Sequence, residues 1–517
     1  MTAFPSTRRE MLGGALAAGL GLSAPRAFAQ SATAGELRIA QPWEFKTLQP
    51  DEVGFTFTRA GVVETLVAYG SDGAIEPTLA SSWTVSDDGL VWRFTMRDAV
   101  FHDGTKLDAA VAKASFERLL PRSLYLRRTG IVGIDADGRE LVLRLEKPFG
   151  PFLAYLVDSS ATVLAPGAFD AAGNVTAMIG TGPFRIASID LPRAMTLARH
   201  GDYWGQKAHV ETVRYDAVVN GDTRSNIAAA SDADVVFNLT APGVARATAA
   251  GMKVGRTIMP RVHILMLNCA KPQFTDVRTR RALSMALDRQ GIAGGIMRNP
   301  KLAATQYLPP TLPDWHFAEL PPLVQDVTGA NALLDAAGWA RGPDGVRVKD
   351  GVRFAGTIRT FPNRPELPVI ASAMQAQFKA VGFDLAISVG EWQAIYEAQK
   401  DGSLDLGLSS RNLVMVPDPI GTIALDYASD IVATGGSGTT GWRHDGLRRD
   451  VEQYMREADD GRSKALRRRI AGLIHDELPI IPVVWYDQIV ATHPRISGFV
   501  NDPLEQRYFL NRVRIAS

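Results

Sequence analysis

The chain has 517 residues, 46% hydrophobic and 21% charged, with a formal net charge of +1 and one cysteine. That length exceeds one ordinary hydrophobic core and implies two or more lobes. A near-neutral balance lacks the basic excess of a nucleic-acid binder, and a lone cysteine excludes an intrachain disulfide.

Residues 1–29 read as an export signal. Arg8-Arg9 precede an apolar Gly/Ala-rich run from Leu12 to about Ala24, and Ala27-Phe28-Ala29 offers a small-x-small cleavage site. The paired arginines mark a twin-arginine leader. The run is shorter than the ~20 residues a membrane span needs, and no cysteine follows it to carry a lipid. Cleavage removes Arg8, Arg9, Arg26 and Glu10 and moves the charge to −1.

Leu37–Gln41 is a first strand. From Tyr69 the chain reads as short strands joined by Ser71-Asp72-Gly73, Asp87-Asp88-Gly89 and Asp103-Gly104, residues that accept positive φ and reverse a chain. Leu90–Phe101 is rich in the aromatic and β-branched residues of a strand. Asp108 is placed to cap a helix with Ala112, Phe116, Leu119 and Leu120 on one face. A turn at Asp135–Gly138 leads into another strand, ELVLRLEKP. Ile179–Ile186, IGTGPFRI, carries two glycines and a proline that force an irregular turn before a strand. Asp202–Gly205 and VETVRYDAV return to the first lobe.

Ile264–Ile292 is an apolar strand, a loop and a helix starting near Asp276, with Ala282, Leu283, Ala286 and Leu287 facing one core. Cys269 lies inside the apolar stretch as a buried inert thiol. Gly329–Trp339 is a short helix ended by Gly338. Ile370, Met374, Phe378 and Val381 share a helical face before another strand. A last helix runs through SKALRRRIAGLIHDELP, and Ile480–Ala491 is a continuous apolar strand. Strands alternating with helices define α/β lobes with covered sheets.

Enzyme motifs are poor. Gly436–Gly441 has the spacing of a dinucleotide loop, but Trp442–Gly446 intervenes where a helix must open at once, so it reads as a surface loop. His475-Asp476-Glu477 lacks the second histidine of a zinc protease, and no Gly-x-Ser-x-Gly elbow is present.

The Tyr69–Leu120 block, IGTGPF, DYWG, LNCAKPQFTDVRTRRALSMALDR, LLDAAGW and DELPIIPV occur in an order that resembles the extracytoplasmic solute-binding proteins of ABC importers, family 5, whose members serve dipeptide, oligopeptide and nickel uptake. The resemblance spans nearly the whole mature chain. It implies an α/β, two-lobed periplasmic binding protein fold (type II, cluster C) with an extra subdomain in the first lobe. The expected boundaries are 1–29 for the signal, 30–67, 176–262 and 488–517 for lobe I, 68–175 for the extra subdomain and 263–487 for lobe II.

The resemblance also implies the site. Gly407–Ser429 matches the cleft-lining stretch, with Asp418-Pro419 at the family's Asp-Pro. Peptide binders place an aspartate four residues before that proline; here Met415 stands there. Nickel relatives use a histidine after Asp-Pro and an earlier arginine; Ile431 and Asp158–Thr162 occupy those positions. The carboxylate grip is then expected from Arg411, followed by Asn412, because a guanidinium at a strand end can hold a carboxylate through two parallel hydrogen bonds. Phe57, Arg59, Arg122, Tyr125, Trp392, Trp485 and Tyr486 complete the candidate wall. The function implied is capture of a small carboxylated solute, a short peptide or an amino-acid-derived, opine-like compound, and its delivery to an ABC permease in the membrane. The protein is then a periplasmic monomer without cofactor, metal or nucleic acid. The alternatives are a binding protein for a metal-organic chelate of the nickel type, a secreted hydrolase on the same fold, and a signalling or chaperone role.

Overall fold

The computed structural model describes residues 35–70, 74–362, 364–428, 441–457 and 459–516. The leader, the turn at 71–73, Ile431 and residues 436–440 of the glycine-rich loop lie outside them.

A sheet of ten strands runs through both lobes. In lobe I, Glu36–Gln41 lies parallel between Thr212–Ala217 and Val235–Phe237, and its Leu37 and Ile39 are fully buried. In lobe II, Ala355–Thr360 lies parallel to Asp384–Val389 and Leu406–Asn412. The lobes are joined by two long antiparallel strands, Lys253–Leu267 and Ile480–Thr492.

The register of this pair breaks where the lobes meet. Pairing runs from Lys253↔Thr492 to Ile258↔Asp487 and resumes at Val262↔Trp485, so Met259, Pro260 and Arg261 oppose Tyr486 alone. A second slip between His263↔Val484 and Ile264↔Pro482 leaves Val483 unpaired. Each break holds a proline, which has no N–H for the ladder and is tolerated in sheets at bulges. The bulges kink the pair where the lobes meet and aim Tyr486 into the space between them.

The extra subdomain is a four-stranded antiparallel sheet in the order Ala80–Val85, Val91–Met96, Glu140–Leu145, Ile131–Asp137, with the helix Ala109–Leu119 packed on it. Asp108 caps that helix, its Oδ1 accepting the Val111 N–H at 2.8 Å. Its apolar core extends from Leu66 to Ala165, whereas Ala168, Val175 and Met178 pack into the core of lobe I. The glycines of IGTGPF are explained by close approach: a Cβ on Gly182 would sit 2.2 Å from the Gly61 carbonyl oxygen, and one on Gly180 2.4 Å from that of Val62.

Lobe II carries the larger core. Asp276 caps the helix Val277–Ala286, and Ile370, Met374 and Phe378 are buried on the helix Glu366–Ala380, with Val381 just beyond its end. The lobes stand closed. Tyr125 and Tyr155 of the subdomain bury against Val416 of lobe II, flanked by Phe149 and Met455. The Gly150 N–H donates to the Met455 carbonyl at 2.7 Å.

Candidate functional site in the interlobe cleft

In open α/β sheets, solutes bind beyond the carboxyl ends of the parallel strands. Here the ends of Glu36–Gln41, Thr212–Ala217 and Val235–Phe237 from lobe I meet the end of Ala355–Thr360 from lobe II across the two hinge strands. A cavity of about 740 Å³ lies at this meeting point, within the range that takes a drug-sized molecule. Trp43 and Phe55 line it from lobe I, Arg364 and Glu366 from lobe II, and Tyr486 from the hinge.

The hinge side is strongly cationic. The Arg364 guanidinium lies 4.9 Å and that of Arg261 5.7 Å from the centre of the Tyr486 ring. Arg59 lies 4.7 Å from the Phe55 ring and 5.2 Å from Trp43. Glu505 offsets part of this charge. It accepts from Arg261 Nη2 at 2.7 Å and Gln488 Nε2 at 3.2 Å, and its backbone oxygen accepts from Arg59 Nε at 2.5 Å. Burial alone would raise its carboxyl, but Arg261 and Arg59 pull it down to about 2. Glu505 also has φ +54°, a left-handed conformation uncommon for glutamate. Among the described residues Arg364 makes no ion pair.

The structure scatters the residues expected to form the wall. Tyr486 lines the cavity, and Arg59 stands behind it against Phe55. Arg411, expected to grip a solute carboxylate, is turned inward: Nε and Nη2 donate to the two oxygens of Asp426 at 2.7 and 2.8 Å, and both side chains are buried. Asn412 is likewise engaged at home, accepting the Val414 N–H at 3.0 Å. Asp418 begins the short helix Ile420–Ile423, accepts the Ile420 N–H at 2.9 Å and takes the Tyr454 hydroxyl at 2.7 Å.

Phe57 is fully buried in the core of lobe I, and Trp485 sits in that of lobe II, its indole N–H donating to the Gln306 carbonyl. Arg122 donates to Asn174 Oδ1 at 2.9 Å and lies 3.8 Å from Asp51. Tyr125 belongs to the closure contact with Tyr155 and Val416. Trp392 and Met415 remain 39% and 37% exposed. Sequence reasoning missed Arg364 and Glu366. The available signal was a polar Arg-Pro-Glu between a strand and a helix in lobe II, where such crossovers present ligand groups.

A two-lobed body, hinged on bulged strands and closed over a cavity, defines a solute-binding protein of the periplasmic type. The chain belongs to the bacterial extracellular solute-binding proteins, family 5 (middle region), whose model matches residues 74–431. It is 26% identical over 504 residues to the nickel-binding periplasmic protein of Escherichia coli K12, covering 90% of this chain and 94% of that one. The dipeptide-binding protein of the same organism is 25% identical over 479 residues, covering 84% and 85%. Among solved structures, NikA from Brucella suis in complex with Fe(III)-EDTA superposes with a TM-score of 0.83 at 23% identity, covering 93% of this chain and 99% of that one.

Proposed function

We propose that this protein is the periplasmic solute-binding component of an ABC importer, exported through its twin-arginine leader and acting as a monomer. It closes its lobes over a small carboxylated solute, a short peptide or an amino-acid-derived, opine-like compound, and presents the closed form to a membrane permease. No bond of the solute is made or broken. The observation that carries this reading is Arg364, a guanidinium facing the interlobe cavity without an ion pair among the described residues and resting on Tyr486. A stacked, planar, permanently charged donor is suited to a carboxylate held by two parallel hydrogen bonds.

Hydrogen bonds to charged groups contribute roughly 1.5–3 kcal/mol each, and micromolar affinity corresponds to about −8 kcal/mol. Two such bonds supply roughly 3–6 kcal/mol, so burial of the solute's apolar surface against Trp43, Phe55 and Tyr486 has to supply the remainder and the cost of closure. Only contacts made better in the closed state shift the lobes, because a solute moves an equilibrium by its differential affinity alone.

Metal carriage as an organic chelate is the second reading, favoured by the nickel-binding relative. It draws on the same arginine, which would hold a free carboxylate of the chelator. The test is calorimetry with dipeptides, amino acids and nickel–histidine on the native protein and on Arg364→Ala. At least one of these carboxylated compounds is expected to bind without turnover, and Arg364→Ala is expected to weaken it at least about tenfold. Equal affinity in the variant removes the assignment, and steady product formation would favour an enzyme.

A further inference from the structure

The C-terminal segment Asp502–Arg507 sits against lobe I beside the break in the long strand pair. Asp502 shapes it: Oδ1 accepts the Leu504 N–H at 3.0 Å, and Oδ2 accepts the N–H groups of Gln506 and Arg507 at 2.8 and 3.0 Å. Those bonds hold Glu505 in its left-handed conformation, φ +54°, which a glutamate adopts only where its surroundings fix it. Arg59, at the end of the helix Pro50–Arg59 in lobe I, anchors the segment from the other side. Its Nε donates to the Glu505 carbonyl at 2.5 Å, and its own carbonyl accepts the Tyr508 N–H at 3.2 Å. Glu505 is thereby fixed to lobe I.

Its carboxylate reaches the other way. Oε2 accepts from Arg261 Nη2 at 2.7 Å, and Oε1 accepts from Gln488 Nε2 at 3.2 Å. Gln488 pairs with Thr257 on the lobe I side of the break, whereas Arg261 lies within the break itself. The Arg261 backbone is held by lobe II: it is registered against Asn412, and the Leu413 N–H donates to the Pro260 carbonyl at 2.9 Å. The Arg261–Glu505 pair therefore runs from a strand tied to lobe II to a segment tied to lobe I. Its side chains are 13% and 5% exposed, so water screens the pair little. Arg59 Nη2, 3.9 Å from Oε2, and the charge of Arg364 add to the cationic surroundings of the carboxylate. Neither Glu505 nor Arg261 is among the residues that line the cavity.

We propose that Glu505 is a positioning residue for closure: its ion pair with Arg261 bridges the lobes across the strand break and favours the closed form without touching the solute. This inference rests on the reading that the lobes open and close about the two long strands. Arg261 then travels with lobe II while Glu505 stays with lobe I, so opening lengthens a bond that is fully made here. An interaction made better in one state shifts the equilibrium by that difference alone. A solute that needs the closed form binds with an apparent affinity scaled by the population of that form. The pair therefore acts on every solute by the same factor, which a residue of the cavity wall does not.

The experiment uses the full-length mature protein, stripped of any retained solute by unfolding and refolding, with spin labels at the exposed positions Val132 and Val389. Amino acids, dipeptides and nickel–histidine are screened by thermal shift, and each binder is measured by calorimetry. In the native protein the interlobe distance is expected to shorten when the strongest binder is added. Glu505→Gln, and Arg261→Met from the other side, are each expected to shift the distances towards longer values and to weaken every binder by one common factor of about tenfold. In the Arg261→Met background, Glu505→Gln is expected to change neither readout. A lower melting temperature with native distances and affinities makes the pair a purely structural contact and overturns the proposal, as does a loss confined to one solute. Arg261→Met leaves Glu505 beside Arg59 and decides alone if Glu505→Gln does not fold. If nothing in the screen binds, equal solute-free distances in the native protein and the variants overturn the proposal. A native distance that binders leave unchanged overturns the closure reading as well, whereas native shortening with unaltered variants overturns the pair alone.

Discussion

Replacing Arg411 with alanine tests whether the buried arginine of the cleft strand serves the fold or the solute. Its guanidinium makes two charge-assisted bonds, of 2.7 and 2.8 Å, to Asp426, whose side chain has no exposed surface. Truncation leaves that carboxylate sealed from water without its cation. Breaking one side of a buried pair costs about 3–5 kcal/mol, whereas replacing both partners by apolar groups of similar volume is often close to neutral. Arg411→Ala is therefore expected to lower the urea midpoint of lobe II by an amount equivalent to about 3–5 kcal/mol. The double variant Arg411→Met/Asp426→Leu is expected to recover most of the loss. The assay is urea unfolding followed by tryptophan fluorescence, with Trp485 and Trp442 reporting on lobe II. An unchanged midpoint in Arg411→Ala, together with a large loss of solute affinity, would refute the reasoning and return Arg411 to the solute.

Two further predictions concern the hinge and the closure. Arg261 and Arg59 hold the folded Glu505 carboxyl at about 2, against an ordinary glutamate value of 4.5. A depressed carboxylate contributes stability that is fully present above about 4.5 and is lost as pH falls towards 2, here on the order of 3 kcal/mol. Acid unfolding of Glu505→Gln should lack this component, and a difference from the native protein that stays constant between pH 5 and 2 would contradict it. At the closure contact, a Cβ on Gly150 would lie 2.6 Å from the Glu457 carbonyl oxygen, and the Gly150 N–H satisfies the Met455 carbonyl at the end of the helix Asp445–Arg456. Gly150→Val is expected to favour the open form with little change in melting temperature. Spin labels at the exposed positions Val132 and Val389 read this as a longer interlobe distance, and an unchanged distance would count against the latch.

Local elements were readable because their causes are local. The caps at Asp108 and Asp276, the apolar face of Glu366–Ala380 and the strand Ile480–Thr492 each follow from spacing within a short window. The hinge partner Lys253–Leu267 was harder, since its first half is polar and broken by Pro260, so only Ile264–Leu267 carried a strand signal. The helix Pro50–Arg59 was missed because Gly54 and β-branched residues disguise it, and Asp445–Arg456 because only Leu447, Val451 and Tyr454 mark its buried face.

The site was less legible than the fold. The resemblance pointed to Arg411 on the strand Leu406–Asn412, but the side chain's direction depends on Asp426, brought back by the π-helical turn Ala424–Ala428. Arg364 and Glu366 reach Tyr486 through the strand order of lobe II, and no spacing along the chain encodes that meeting. Tyr486 was a candidate because its segment resembles a cleft-lining one of the family, and it lines the cavity.

The central claim is that two hinged lobes shut over a small carboxylated solute. Small-angle scattering of protein stripped by unfolding and refolding, before and after addition of the strongest binder from the screen, tests it most directly. The account predicts a smaller radius of gyration and a profile matching the closed structure once the compound is added, from a more extended starting state. Superimposable profiles at saturating compound would contradict it.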